Sequence, residues 1–225
     1  TSALEGTTIF IDNGTFSADL NIDKDGIAIE GLNTVTLSGI VTVSANDVSL
    51  RNLTFTGNAR VVNSGDIENF VFDQNTISGS TLTTGSFLLI SGIENIQVTG
   101  NTFTTLSANA VTITDFIDGE IVVNHNTFTT VEKAIEVKAV REYAITSEIQ
   151  VWWNTIDTAT TALDINLLYG TEQKTIEAIV RFNTINNETF GAVSNVGNTI
   201  DFTLNFWGCG CTELDPAKFE NIDSY

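Results

Sequence analysis

Apolar and polar residues alternate in short runs along most of the chain, with a period near two, and helical periodicity is nearly absent. The early runs are Thr7–Ile11, Leu20–Ile22, Ile27–Ile29, Val35–Leu37, Ile40–Val43 and Val48–Leu50. Each is rich in β-branched residues and bounded by Gly, Asn or Asp, so each predicts a strand. From residue 69 a phrase recurs: an apolar–x–apolar strand, two residues, then Asn-Thr and a large apolar residue. It ends at Asn75-Thr-Ile77, Asn101-Thr-Phe103, Asn126-Thr-Phe128, Asn154-Thr-Ile156 and Asn183-Thr-Ile185, with an altered copy at Asn205-Phe-Trp207. Successive Asn lie 26, 25, 28, 29 and 22 residues apart. Strand-like content at such a period predicts a solenoid.

A second strand motif opens each coil: Phe87–Ile90, Ala110–Ile113, Ala134–Val137 and Ala162–Ile165. These readings predict one domain over 1–225. It has less regular coils over 1–68, regular coils over 69–208 and a cap or extension over 209–225, about eight or nine coils in all. Short helical turns are expected only near Ser2–Glu5 and Pro216–Glu220.

Stacked coils with an inward Asn file resemble the right-handed parallel β-helix of the pectate-lyase-like superfamily. The run Ile22-Asp-Lys-Asp-Gly-Ile-Ala-Ile-Glu-Gly31 resembles the opening coils of bacterial and archaeal surface β-helices, and Asn205-Phe-Trp-Gly208 their closing Asn-Tyr-Trp-Gly segment. The resemblance implies that Asn75, Asn101, Asn126, Asn154, Asn183 and Asn205 form a side-chain ladder, each Asn taking the left-handed conformation at its bend. The same architecture hosts lyases, hydrolases, esterases, spikes, adhesins and surface-layer proteins, so it says little about activity.

The formal charge is −19, with nine basic residues dispersed among 28 acidic ones. That excludes a phosphate-tracking groove, and with it nucleic-acid binding. Calcium suits so acidic a surface as counter-ion, and no cofactor is required. No apolar run reaches the length of a membrane span. The start Thr-Ser-Ala-Leu reads as a processed or trimmed end, and the Thr/Asn-rich, Lys-poor composition as a secreted or cell-surface protein. Cys209 and Cys211 leave three alternatives: a local disulfide, two free thiols, or half of a metal site completed by another chain.

Alternation points Glu136 and Asp164 outward on adjacent coils, with Thr112 and Ser194 continuing their column and Lys138 and Asn166 further along the same face. Two close carboxylates can divide acid from base work. With Lys138 or Arg141 as base they are the candidates for a polysaccharide lyase or glycosidase, although the bland reading is a pair of solvated acids. The three-Asp signature of polygalacturonase-like enzymes and the Gln-Asp motif of pectin esterases are absent. A second column, Asp73, Thr99, Asn124, Trp152, Arg181 and Thr203, sets Trp152 beside Arg181 as a candidate glycan platform or a mere cation–π cover. His125, the only histidine, reads as structural.

Val71, Val122 and Ile179 point outward between Gln97 and Gln150, which suggests a covered sheet. In a third column, Thr102-x-Thr104 and Thr127-x-Thr129 resemble the arrays of ice-binding solenoids. Its partner positions pass to Asp157 and Asn186, however, and the β-propensity of Thr accounts for the column. Asn21-x-Asp23-x-Asp25-Gly26 opens like a calcium loop but has Leu32 where the closing Glu belongs, and reads as a turn. The expectation is an extracellular structural or adhesive module that self-associates or binds polysaccharide. A carbohydrate-active enzyme is the alternative.

Overall fold

The structure, a computed structural model, describes residues 3–138, 148–166, 168–169, 172–173, 177–186, 190–194, 200–201, 203–207 and 219–220. Among them there is no helix, and strands stack in parallel as a β-solenoid. Each turn lays one strand on each of three faces. The first face is a nine-stranded parallel sheet running from Thr8–Ile11 through Ile67–Asp73, Ile93–Thr99 and Glu148–Trp152 to Ile200–Asp201. The second begins at Gly14–Phe16, Val35–Leu37 and Thr54–Gly57, the third at Leu20–Ile22, Ile40–Val43 and Arg60–Asn63. The strands Thr127–Lys138 and Thr155–Asn166, 12 residues each, run round a corner and join these two faces into one sheet. About six turns make up the regular stack, fewer than the eight or nine that also count the short outer rungs.

The expected strands Leu20–Ile22, Val35–Leu37 and Ile40–Val43 are found at those bounds. Of the two expected helical turns, the described residues show Glu5 and Gly6 in a turn and Phe219–Glu220 as a strand pairing with Ala192 and Val193, while Ser2 lies outside the described residues. Pro216 lies outside the described residues.

The core is the inside of this tube. Phe55, Phe72, Phe87, Phe103 and Phe128 fill it, and the Phe103 and Phe128 rings stack at 4.9 Å. Beside them runs the Asn ladder. Asn126 Nδ2 donates to Asn154 Oδ1 at 3.0 Å and to the carbonyl of Val98 at 2.8 Å, while its backbone N–H donates to the same Asn154 oxygen at 3.0 Å. The pattern repeats from Asn75 to Asn205. Burying an amide is costly unless it is bonded, and here both its donors and its acceptor are used.

The left-handed bend is not on the ladder Asn. It belongs to the residue before it: Gln74, Gly100, His125, Trp153, Phe182 and Leu204 all have φ between 54° and 66°. An Asn side chain committed to the interior needs its backbone extended into the next strand, so the preceding residue makes the corner. A further ladder, exposed and unforeseen, caps another corner: Asn69 Nδ2 donates to Asp47 Oδ1 at 2.7 Å and Asn95 Nδ2 to Asn69 Oδ1 at 3.0 Å, with all three at positive φ.

Candidate functional site

Three outward regions carry chemistry. The first is on the third face. Glu136 registers with Asp164 and with Thr112, as alternation predicts, but Asp164 registers with Val193, and Ser194 with Ile165. Ser194 is thus one residue out of the expected column. Glu136 is not a solvated surface acid, since it is only 3% exposed. Its Oε1 accepts from Lys133 Nζ at 2.6 Å and pairs with Lys138 Nζ at 2.7 Å. Its Oε2 accepts from Thr112 Oγ1 at 3.1 Å and Asn109 Nδ2 at 3.2 Å. Lys133 also bridges to Asp164.

Burial pushes the Glu136 carboxyl up, but the bonds from Lys133 and Lys138 outweigh it and hold it below the usual glutamate value. Burial lowers Lys133 as well, and Asp164 and Glu136 more than reverse that. A general acid must carry a proton at working pH. Glu136 is arranged to stay ionised. Sequence reading missed Lys133, because its Nζ reaches Glu136 three residues on and Asp164 a full coil away. Arg141 lies outside the described residues, as do Cys209 and Cys211.

The second region is the column before the ladder. Asp73, Thr99, Asn124, Trp152 and Arg181 register one above another as expected. Arg181, however, turns to Asp201, whose carboxyl is held at about 2 by that guanidinium and then by the hydroxyl and N–H of Thr203. Trp152 is half-buried. The exposed rings are one residue on, at the left-handed corner. Trp153 stacks on Phe182 at 4.7 Å and on His125 at 6.4 Å, with interplanar angles of 14° and 17°.

The Phe182 and His125 rings on the neighbouring rungs lie nearly parallel to Trp153, so the three form one exposed aromatic run along the corner. Leu204 continues the corner, and Phe206 stands just past Asn205; Trp153, Phe182, Leu204 and Phe206 are 53%, 40%, 65% and 57% exposed. Bulky residues in the left-handed region are outliers. A signal was available: the residue before each Asn turns from Gln and Gly to His, Trp, Phe and Leu.

The third region is the second face. Its threonine file extends well beyond Thr102 and Thr127 in both directions. Thr15 registers with Thr36, Thr36 with Thr54, and Thr54 with Thr76. The file then runs through Thr102, Thr127 and Thr155 to Thr184. Two residues on from Thr36, Thr54, Thr76, Thr102 and Thr127 stand Ser38, Thr56, Ser78, Thr104 and Thr129, a second run of hydroxyls in which Thr104 registers with Thr129, followed by Asp157 and Asn186. The pairing shifts register just past Ile77, and Thr104 Oγ1 donates to the Ile77 carbonyl at 3.0 Å.

Among the described residues no group of three or more His, Cys, Asp or Glu side chains could hold a metal ion, and no helix is long and apolar enough to cross a membrane. Asp25 of the calcium-like turn accepts the Asn46 backbone N–H at 2.8 Å and so ties two coils together. Comparison with family models, with curated proteins and with solved structures gives no match in any of the three.

Proposed function

We propose that the chain is a non-catalytic extracellular β-solenoid of the pectate-lyase-like, surface-protein kind, which adheres or self-associates through its aromatic corner. The observation that supports this most is the exposed column His125, Trp153, Phe182 and Leu204, joined by Phe206. Four bulky residues at positive φ each carry a backbone cost of roughly 1–2 kcal/mol, which an interaction surface would justify. Contiguous exposed apolar surface is also the usual mark of a protein contact. At a formal charge of −19 copies repel one another, so association should strengthen as salt screens the charge.

Sedimentation velocity and electron microscopy across a salt series test this reading, with and without calcium. Association that grows with salt and is lost in a Trp153→Ser, Phe182→Ser double variant supports it. A chain that stays monomeric throughout, with no adhesion lost in the variant, overturns it. The enzyme reading keeps one observation in its favour, the register of Glu136 with Asp164. It requires polysaccharide cleavage that disappears in Glu136→Gln.

A further inference from the structure

We propose that the second face, the one carrying the threonine file, is an ice-binding surface. This rests on a different face from the aromatic corner and does not depend on it.

The argument begins with an internal control. All three faces share one backbone geometry, so β-propensity alone would enrich Thr on all of them. On the first face one outward column passes from Phe10 through Glu30, Arg51 and Asp73 to Thr99 and Asn124. On the third, a column reads Val62, Leu89, Thr112, Glu136 and Asp164. Among the described outward columns, only that of the second face repeats a single residue type without a break, at all eight rungs from Thr15 to Thr184. Something other than strand propensity holds it constant.

A file of identical groups at a constant step is complementary to a partner with the same translational repeat. The step between rungs is about 4.8 Å and that between the two files about 6.6 Å, so the eight threonines span about 34 Å. Such a partner can be an ionic lattice, a crystalline polysaccharide, a second copy of the file, or ice. Neither file carries a charge between Thr15 and Thr129, although the chain bears a formal −19, so an ionic lattice has nothing to grip. Neither carries a ring before Thr184, so sugar faces have nothing to stack on. Threonine against threonine would exchange hydroxyl–water bonds for hydroxyl–hydroxyl bonds at little net gain. Ice is uncharged and periodic and offers donors and acceptors at every site. A hydroxyl that both donates and accepts fits it at each rung, and the γ-methyl groups fill the space between.

The test uses the intact chain. Thermal hysteresis and the fraction of labelled protein taken into a slowly growing ice crystal are measured for the parent, for a Thr102→Lys, Thr127→Lys double variant, and for Gln97→Lys as a control on the exposed first face. Ser78→Lys serves as a second block in the neighbouring file, and circular dichroism verifies each fold. Measurable hysteresis and ice uptake in the parent, reduced at least several-fold by either Lys block and unchanged by the control, support the proposal. Uptake no greater than that of an unrelated acidic protein, or activity indifferent to both blocks, overturns it. Retention on crystalline cellulose or chitin without ice uptake, or a dimer that the Lys blocks dissolve without ice uptake, also overturns it and names the polymer or the second copy instead.

Discussion

The second and third faces are wound from the same turns of chain, and two strands even run through both, yet they use the outward position in opposite ways. On the second face the side chain barely changes from rung to rung. On the third the column moves from Val62 and Leu89 through Thr112 to a buried Glu136 held by two lysines. The backbone period produces a column wherever strands stack in register, but it does not decide what fills the column. A uniform outward file whose side chains make no bonds to their neighbours among the described residues, unlike the buried Asn ladder, therefore points to a requirement outside the fold, and a varied one reports local solutions to packing and charge.

The comparison is sharpest when stability is measured at each layer. The largest loss is expected beneath the threonine face: Phe103→Ala empties a site between Phe87 and Phe128 and should cost about 3–5 kcal/mol in denaturant unfolding. Next comes the ladder. Asn126→Ala removes the acceptor for the N–H and the amide of Asn101, and should cost roughly 1–3 kcal/mol. A neutral result there would mean that water replaces the ladder.

On the third face, Glu136→Gln should cost about 1–2 kcal/mol at neutral pH, because its lysine partners are partly exposed and screened. The sign with pH follows from the lowered carboxyl. Its contribution is complete above the ordinary glutamate value of 4.5 and is lost as pH falls through the lower folded-state value. The parent should therefore lose stability toward low pH more steeply than the Gln variant, and parallel acid limbs would show that the lysines contribute nothing. Smallest of all, Thr102→Val on the second face should stay within about 0.5 kcal/mol of the parent. A larger loss would give the threonine file a stability role and dissolve the contrast between the two faces.

Much of the fold was legible in the chain. Asn-Thr at a recurring step fixed the ladder and its register, because a buried amide tolerates few substitutes. The columns Asp73 to Arg181 and Thr112 to Asp164 followed from alternation alone. What escaped was set by contacts between coils. Lys133 reads as a solvated residue until the next rung brings Asp164 to it. Trp152 keeps its expected place beside Arg181, but the pairing of Arg181 with Asp201 depends on which neighbour a long side chain selects. Intrinsic preference points to Asn for the left-handed conformation, whereas burial of its amide passes the bend to the residue before it. Thr15, Thr36 and Thr54 cannot be aligned to the file from sequence, because their coils lack the Asn that marks the register.

The ladder also governs how damage spreads. Each amide joins only the rung above and the rung below, over steps of 22 to 29 residues. Among the described residues, side-chain bonds join neighbouring turns, so stability accumulates link by link. Such a tube can fray from either tip while its middle stays shut. A protease would nibble the tips first, and steady tension along the axis would peel turns away singly instead of bursting the whole. A worn specimen would be shorter, with its remaining rungs still in register.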